Sequence, residues 1–422
     1  MMNPLLNPVR TPAAPDELPR LDLASPHLHA ERDLTDVFRH LRDEDPVYWH
    51  PERDDRPGFW VVSRYQDVAR IFRDNKRFTS ERGNVLETLL GGGDSAGGKM
   101  LAVTDGDRHK ALRNIMLKAF SPKALSVIVD SVRRAADRLV SAAVESGECD
   151  FAGDVAARIP LGAVCDLLGV PESDRADVLS LTSAALSSDH EDGTPADAFE
   201  AKNEILLYFA GLAAERRDTP HNDVVSLLAA SEIDGEHLDD VEVMLNCYSL
   251  ILGGDETSRL SMIGGARALM EQPEQWKALK SGDVTVESAV EEVLRWTTPA
   301  LHAGRTAEED VEVEGRTIRR GDIVTIWNSS ANFDERVFTE PGVFDLARKP
   351  NKHLTFAYGP HFCLGAYLAR MEIGAVLDGC RRMAARMEPA GPAKAIYSNF
   401  LSGLSTQPVR FEPEPDFVPA GS

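Results

Sequence analysis

The sequence predicts a mainly α-helical protein with a small β part, an α+β fold, on three observations. From Leu125 to about Glu274, amphipathic helical segments alternate with short breakers, among them Pro171, Gly193 to Pro195 and Pro220. A further helical pattern runs from Ala366 to Met383 behind the breaker cluster Tyr358-Gly359-Pro360. Short alternating runs bounded by turn residues stand at Val47 to His50, Phe59 to Ser63, Val311 to Val313 and Ile323 to Trp327, the pattern of a few short strands.

Composition narrows the function classes. A chain of 422 residues reads by length alone as two or three domains, and it can bury about three quarters of its unfolded surface. It carries 68 acids against 46 lysines and arginines, a net charge of −22, which argues against nucleic acid or an anionic membrane as general partner. Five scattered cysteines without Cys-x-x-Cys spacing suggest neither a disulfide framework nor a zinc site, and they fit a reducing cytoplasm. Met1 to Asp22 has no basic stretch followed by an apolar run, so no signal peptide or membrane anchor is expected.

Taken in order, Ser63-x-x-Gln66 forms a capping box for a helix through Phe72. Gly93-x-x-x-x-Gly98-Lys99 imitates a phosphate-binding loop, but Met100 stands where a hydroxyl should hold magnesium and no buried strand precedes it, so a surface loop is expected. Asp107 to Phe120 has helical spacing that puts His109 and Arg113 on one face, which by itself reads as a solvated basic face. The apolar segment Asp239 to Met270 contains Gly253-Gly-Asp-Glu-Thr-Ser258. Two interior glycines cost a helix about 1 kcal/mol each, so either the helix ends at Gly254 and restarts, or the glycines serve a purpose. Glu292 and Arg295 are spaced for an i,i+3 ion pair, Glu314-Gly315 is a turn between strands, and Ile396 to Phe400 with Leu404 to Phe411 read as a hairpin around Ser402-Gly403.

The densest cue is His353 to Gly365. Cys363 falls at the mouth of the Ala366 to Met383 helix, where unpaired N–H groups and the dipole stabilise a thiolate, an address for a metal ligand or nucleophile; a buried small hydrophobe is the plain alternative. Phe356-x-x-Gly359-x-x-x-Cys363-x-Gly365 adds an aromatic beside the sulfur, a glycine for a tight bend, and a second glycine that lets a flat ligand approach.

This loop resembles the haem-binding loop of the cytochrome P450 family, the haem-thiolate monooxygenases, and four further signals follow that family's order: His109/Arg113, Gly253 to Thr257, Glu292/Arg295 and Arg305. The resemblance is closest to soluble bacterial members. It implies one cytochrome P450 domain over 31–412, with a partly extended tail over 1–30 and a C-terminal tail over 413–422. It implies heme b, iron protoporphyrin IX, ligated by Cys363, with Phe356 and Gly365 shaping the loop and His109, Arg113, Arg305 and His361 binding the propionates. Gly253 would leave room for dioxygen, and Glu256 and Thr257 would deliver protons to it. Glu292, Arg295 and Arg348 would form a buried network supporting the loop. Val85, Leu86, Leu252, Leu301, His302, Phe400 and Leu401 would lie near substrate.

The implied reaction is oxidation, foremost hydroxylation, of a small organic molecule such as a natural-product intermediate. Electrons would come from NAD(P)H through a separate ferredoxin and ferredoxin reductase, since no nicotinamide or flavin motif is present. A cytoplasmic monomer is expected. Two other readings stay open: bond coupling or desaturation by the same oxidant without oxygen insertion, and a non-catalytic haem sensor, against which the Glu256-Thr257 pair speaks.

Overall fold

Valine- and isoleucine-rich runs make strands where they can bury one face, and the computed structural model, which describes residues 10–186 and 195–419, shows where each finds its cover. The chain forms two units. The first comprises Met1–Gly97, Gly264–Cys363 and Ala393–Ser405; the second comprises Gly98–Ile263, Leu364–Pro392 and Thr406–Ser422.

In the first unit a five-stranded sheet runs in the order Val47–His50, Phe59–Val62, Ile323–Ile326, Ala303–Ala307, Phe78–Thr79. Only the pairing of Phe59–Val62 with Ile323–Ile326 is parallel; the other three are antiparallel. Val62, Val324 and Ile326 pack with Val68, Ile71 and Phe72 of the helix Tyr65–Arg73 and with Leu354, which directly precedes the glycine-framed loop. The sheet therefore fixes that loop's approach. The expected capping box is replaced: Ser63 Oγ donates to the Pro46 carbonyl, and the Tyr65 N–H is taken by Asp334 Oδ2 at 3.0 Å, so the helix start is capped from 269 residues away. Sequence-local cues could not show a cap supplied by tertiary structure.

Residues from Thr11 onward do not trail as a tail. A 3₁₀ turn at Pro15–Arg20 and a helix at Pro26–Glu31 bury Ala13, Leu18, Leu21 and Leu23 against Phe38, Phe59 and Trp327. The apolar residues between the prolines pay for that ordering.

The second unit is helical. Ser126–Ser146 lies against Ala366–Met383, with Val140 beside Gly379, and Arg158–Leu168, Arg175–Leu186 and Pro195–Asp218 complete the body. Of the expected breakers, Pro171 and Pro220 fall between helices, and Gly193 lies outside the described residues. Asp240–Glu271 is one continuous helix of 32 residues, so the chain does not restart after Gly254. Its portion to Ile263 belongs to this unit.

The C-terminal hairpin is differently paired from the expectation. Lys394–Ala395 meets Leu404–Thr406, while Pro408–Pro413 leaves to join Ala384–Pro389 and Glu148–Asp150 in a three-stranded antiparallel sheet. Gln407, fully buried and hydrogen-bonded through its N–H to Asp150, marks the switch. Among the described residues no helix is long and apolar enough to cross a membrane.

Candidate active site

In the first unit the chain from Leu354 to Cys363 is bent by two left-handed residues, Ala357 at φ +60 and Gly359 at φ +80. A Cβ on Gly359 would stand 2.8 Å from the Phe72 carbonyl, so only glycine fits there. Ala357 occupies the same region at the steric cost of an L-residue, about 1–2 kcal/mol. The turn is closed by the Cys363 N–H donating to the Phe356 carbonyl at 2.9 Å, and Arg73 pins its flank, lying 4.3 Å from the Tyr358 ring centre and donating to its hydroxyl. Three residues beyond Cys363 the 18-residue helix begins.

This leaves Cys363 exposed, unlike the other four cysteines. Burial pushes the Cys149, Cys165 and Cys380 thiols up to about 12, 11 and 12, and Cys247 is raised as well, so each is held as an inert thiol.

Behind the loop stands the expected buried network. Arg295 donates to both oxygens of Glu292 at 2.7 and 2.8 Å, Arg348 Nε adds 3.1 Å, and Asn351 and the Asp345 N–H donate at 3.0 Å each. Arg295 and Arg348 also reach the carbonyls of Asn332, Pro341, Val343 and Thr339. The i,i+3 pair is thus the centre of a fully satisfied buried hub.

The remaining first-unit candidates fall into two groups. Arg305 is buried, Nη1 donating to the Gly304 carbonyl with its guanidinium 5.7 Å from the Phe72 ring; His361, half-buried, lies 3.5 Å from Ser80 Oγ. Leu301 donates to the Phe400 carbonyl at 2.8 Å, and Leu401 bridges Ala300. Leu86 is part of the core with Leu301 and Trp327, Val85 caps the short helix Leu86–Leu90 half-buried, and His302 is packed between Trp327 and Phe400. Burial holds the His302 imidazole neutral, down to about 3, with His29 opposing its charge in the same direction.

In the second unit His109 is buried on the helix Gly106–Leu117 and Arg113 is half-buried one turn on, so the pair does not form a solvated face. On the long helix the two glycines differ. A Cβ on Gly254 would come within 2.6 Å of Val164 Cγ2, whereas one on Gly253 would meet nothing within 4 Å. Gly254 is a packing glycine; Gly253 borders open space. Leu252 is half-buried beside it, and Thr257 Oγ1 donates back to the Gly253 carbonyl at 3.3 Å on that same side.

Glu256 is buried and paired with Arg259, whose Nε lies 3.0 Å from Oε1. Glu372, on Ala366–Met383, is buried with Ser258 as a hydrogen-bond partner, and burial pushes its carboxyl up to about 7. Arg259 and Glu372 were not among the sequence candidates. Arg259 has a legible signal, its i,i+3 spacing from Glu256; Glu372 has none, since an acid on a helix carries no mark of burial.

Each unit by itself carries groups that fit a porphyrin bearing two carboxylates: an accessible sulfur, Arg305 and His361 in the first, and His109, Arg113 and an open stretch of helix at Gly253 in the second. Comparison with known proteins points the same way. Residues 284–380 match the family model described as Cytochrome P450. The chain is 53% identical over 401 residues, covering 95% of it and 98% of the relative, to Cytochrome P450 NovI of Streptomyces niveus. It is 34% identical to a steroid C26-monooxygenase of Mycobacterium tuberculosis, covering 94% and 99%. Among solved structures, that of P450 OxyD, involved in the biosynthesis of vancomycin-type antibiotics, superposes with a TM-score of 0.85 at 32% identity over 93% of this chain and 100% of that one.

Proposed function

Since this chain belongs to the cytochrome P450 family, and is a haem monooxygenase that uses dioxygen and NAD(P)H-derived electrons delivered by partners, we propose that it hydroxylates an intermediate of antibiotic-type natural-product biosynthesis. The likeness to OxyD supports the substrate class. The observation that carries the site assignment is Cys363, exposed at the end of a loop whose bend at position 359 only glycine fits, while the other cysteines are wholly or partly buried.

Bound haem supplies the reductive activation of dioxygen and the transfer of one oxygen atom to a C–H bond. Cys363 Sγ holds it as a thiolate. Arg305, His361, His109 and Arg113 bind its carboxylates, and the Glu292–Arg295–Arg348 hub keeps the loop rigid. Gly253 keeps a volume clear on the helix, Thr257 presents its hydroxyl there, and Glu256 passes protons inward from solvent. Val85, Leu252, Leu301 and Phe400 contact substrate. The protein acts as a cytoplasmic monomer that takes electrons from a ferredoxin and its reductase.

The carbon monoxide complex of the reduced protein tests the ligand: wild type shows the red-shifted thiolate band, and Cys363→Ala loses it. A normal band in that variant would sink the assignment. Product formed under labelled dioxygen decides the reaction, because hydroxylation carries one labelled oxygen into product and coupling or desaturation carries none.

A further inference from the structure

Glu256 and Arg259 lie one turn apart on Asp240–Glu271, with side chains 6% and 8% exposed. Arg259 Nε donates to Glu256 Oε1 at 3.0 Å, and Nη2 closes on the same oxygen. At a wet surface water would screen most of such a pair, but here it screens little of it. The same unit shows what burial does to a carboxyl that lacks a cation. Glu372, hydrogen-bonded by Ser258 two residues along the helix from Glu256, is pushed up to about 7.

We propose that Arg259 is a positioning residue for proton delivery: it pins Glu256 Oε1 and keeps that buried carboxyl ionised between turnovers. The inference rests on reading Glu256 as the proton donor. With Arg259 in place, Glu256 takes a proton from solvent, gives it to the Thr257 hydroxyl as that hydroxyl passes its own to the reduced dioxygen, and returns to a carboxylate; the relay itself moves protons and no electrons. Without the guanidinium, desolvation holds the proton on Glu256, a weaker acid that returns to the carboxylate only at higher pH. A neighbouring opposite charge lowers a carboxyl pKa by about 1–3 units, so its removal raises the ionisation pH by that much.

Infrared titration of the resting protein, with Glu256→Gln subtracted to isolate this one carboxyl, measures the hold directly. Wild type should show Glu256 ionised at pH 7, Arg259→Gln should keep it protonated to a pH about 1–3 units higher, and Arg259→Lys should fall back to within about one unit of wild type. The pH profile of product formed per electron should move upward with the titration. A protonated Glu256 in wild type at pH 7 overturns the proposal even if the glutamine variant fails to fold, and so does a titration identical in wild type and Arg259→Gln. Wild-type electron coupling in Glu256→Gln would instead overturn the reading of Glu256 as donor, while the infrared arm still reports on Arg259.

Discussion

Glu372 and His302 are both buried ionisable groups held neutral, and they make opposite demands on pH. Burial raises the Glu372 carboxyl from 4.5 to about 7, so its contribution is fully present below pH 4.5 and is lost as pH climbs to about 7. The loss is at most about 3 kcal/mol, and Glu372→Gln should abolish it, leaving a variant more stable than wild type above pH 7 in urea titrations. His302, lowered from 6.5 to about 3, acts in the other direction: its contribution is present above pH 6.5 and drains away as pH falls toward 3. In His302→Phe, which keeps the ring packing against Trp327 and Phe400, the fall in stability between pH 6 and 4 should be shallower; an unchanged slope would assign it to other groups. Neither residue's state was legible in the sequence, because neutral burial is a property of surroundings. Cys363 was legible, since a breaker, two glycines and a helix start surround it in the chain itself. The buried position of His109 was not, because helical spacing fixes a face and cannot say what covers it.

Elements were readable where local periodicity decides them and misread where a distant residue does. The helix Ala366–Met383 and the strand Val47–His50 have the bounds their patterns predict. The Tyr65 helix is capped by Asp334, and Pro408–Pro413 pairs with Glu148–Asp150, neither of which a local window contains. The long helix posed the sharpest ambiguity, and the structure resolves it by giving its glycines separate reasons. Gly254→Ala gains about 1 kcal/mol of helix propensity but drives a methyl against Val164, a β-branched neighbour with little freedom to turn away, at about 1–3 kcal/mol. Thermal unfolding should show a net loss of about 1 kcal/mol that is smaller when the same change is made in Val164→Ala. Gly253→Ala, with open space around it, should be neutral or stabilising by up to about 1 kcal/mol while disturbing the carbon monoxide spectrum. Equal effects at the two glycines would contradict this division.

At the scale of the whole molecule, a net charge of −22 should repel an acidic electron donor, so docking depends on local cations. Two cations are already engaged internally, Arg348 by Glu292 and Arg108 by Glu242. Lys110 pairs with Asp107 where both are well exposed, and Lys352 is exposed beside the loop. Reversing Lys110 and Lys352 to glutamate should slow electron transfer from an acidic ferredoxin about tenfold at low salt and leave the carbon monoxide band intact; equal rates would dismiss these lysines. The interleaving of the two units has a different consequence, one of timing. Phe59–Val62 finds its parallel partner only at Ile323–Ile326, roughly 260 residues later. At about 5–20 residues per second, a ribosome leaves that strand's edge unpaired for about 13–50 s. The nascent protein thus spends most of its synthesis with a valine-rich ribbon open to other chains, and slow translation or absent chaperones should cost yield before they cost activity.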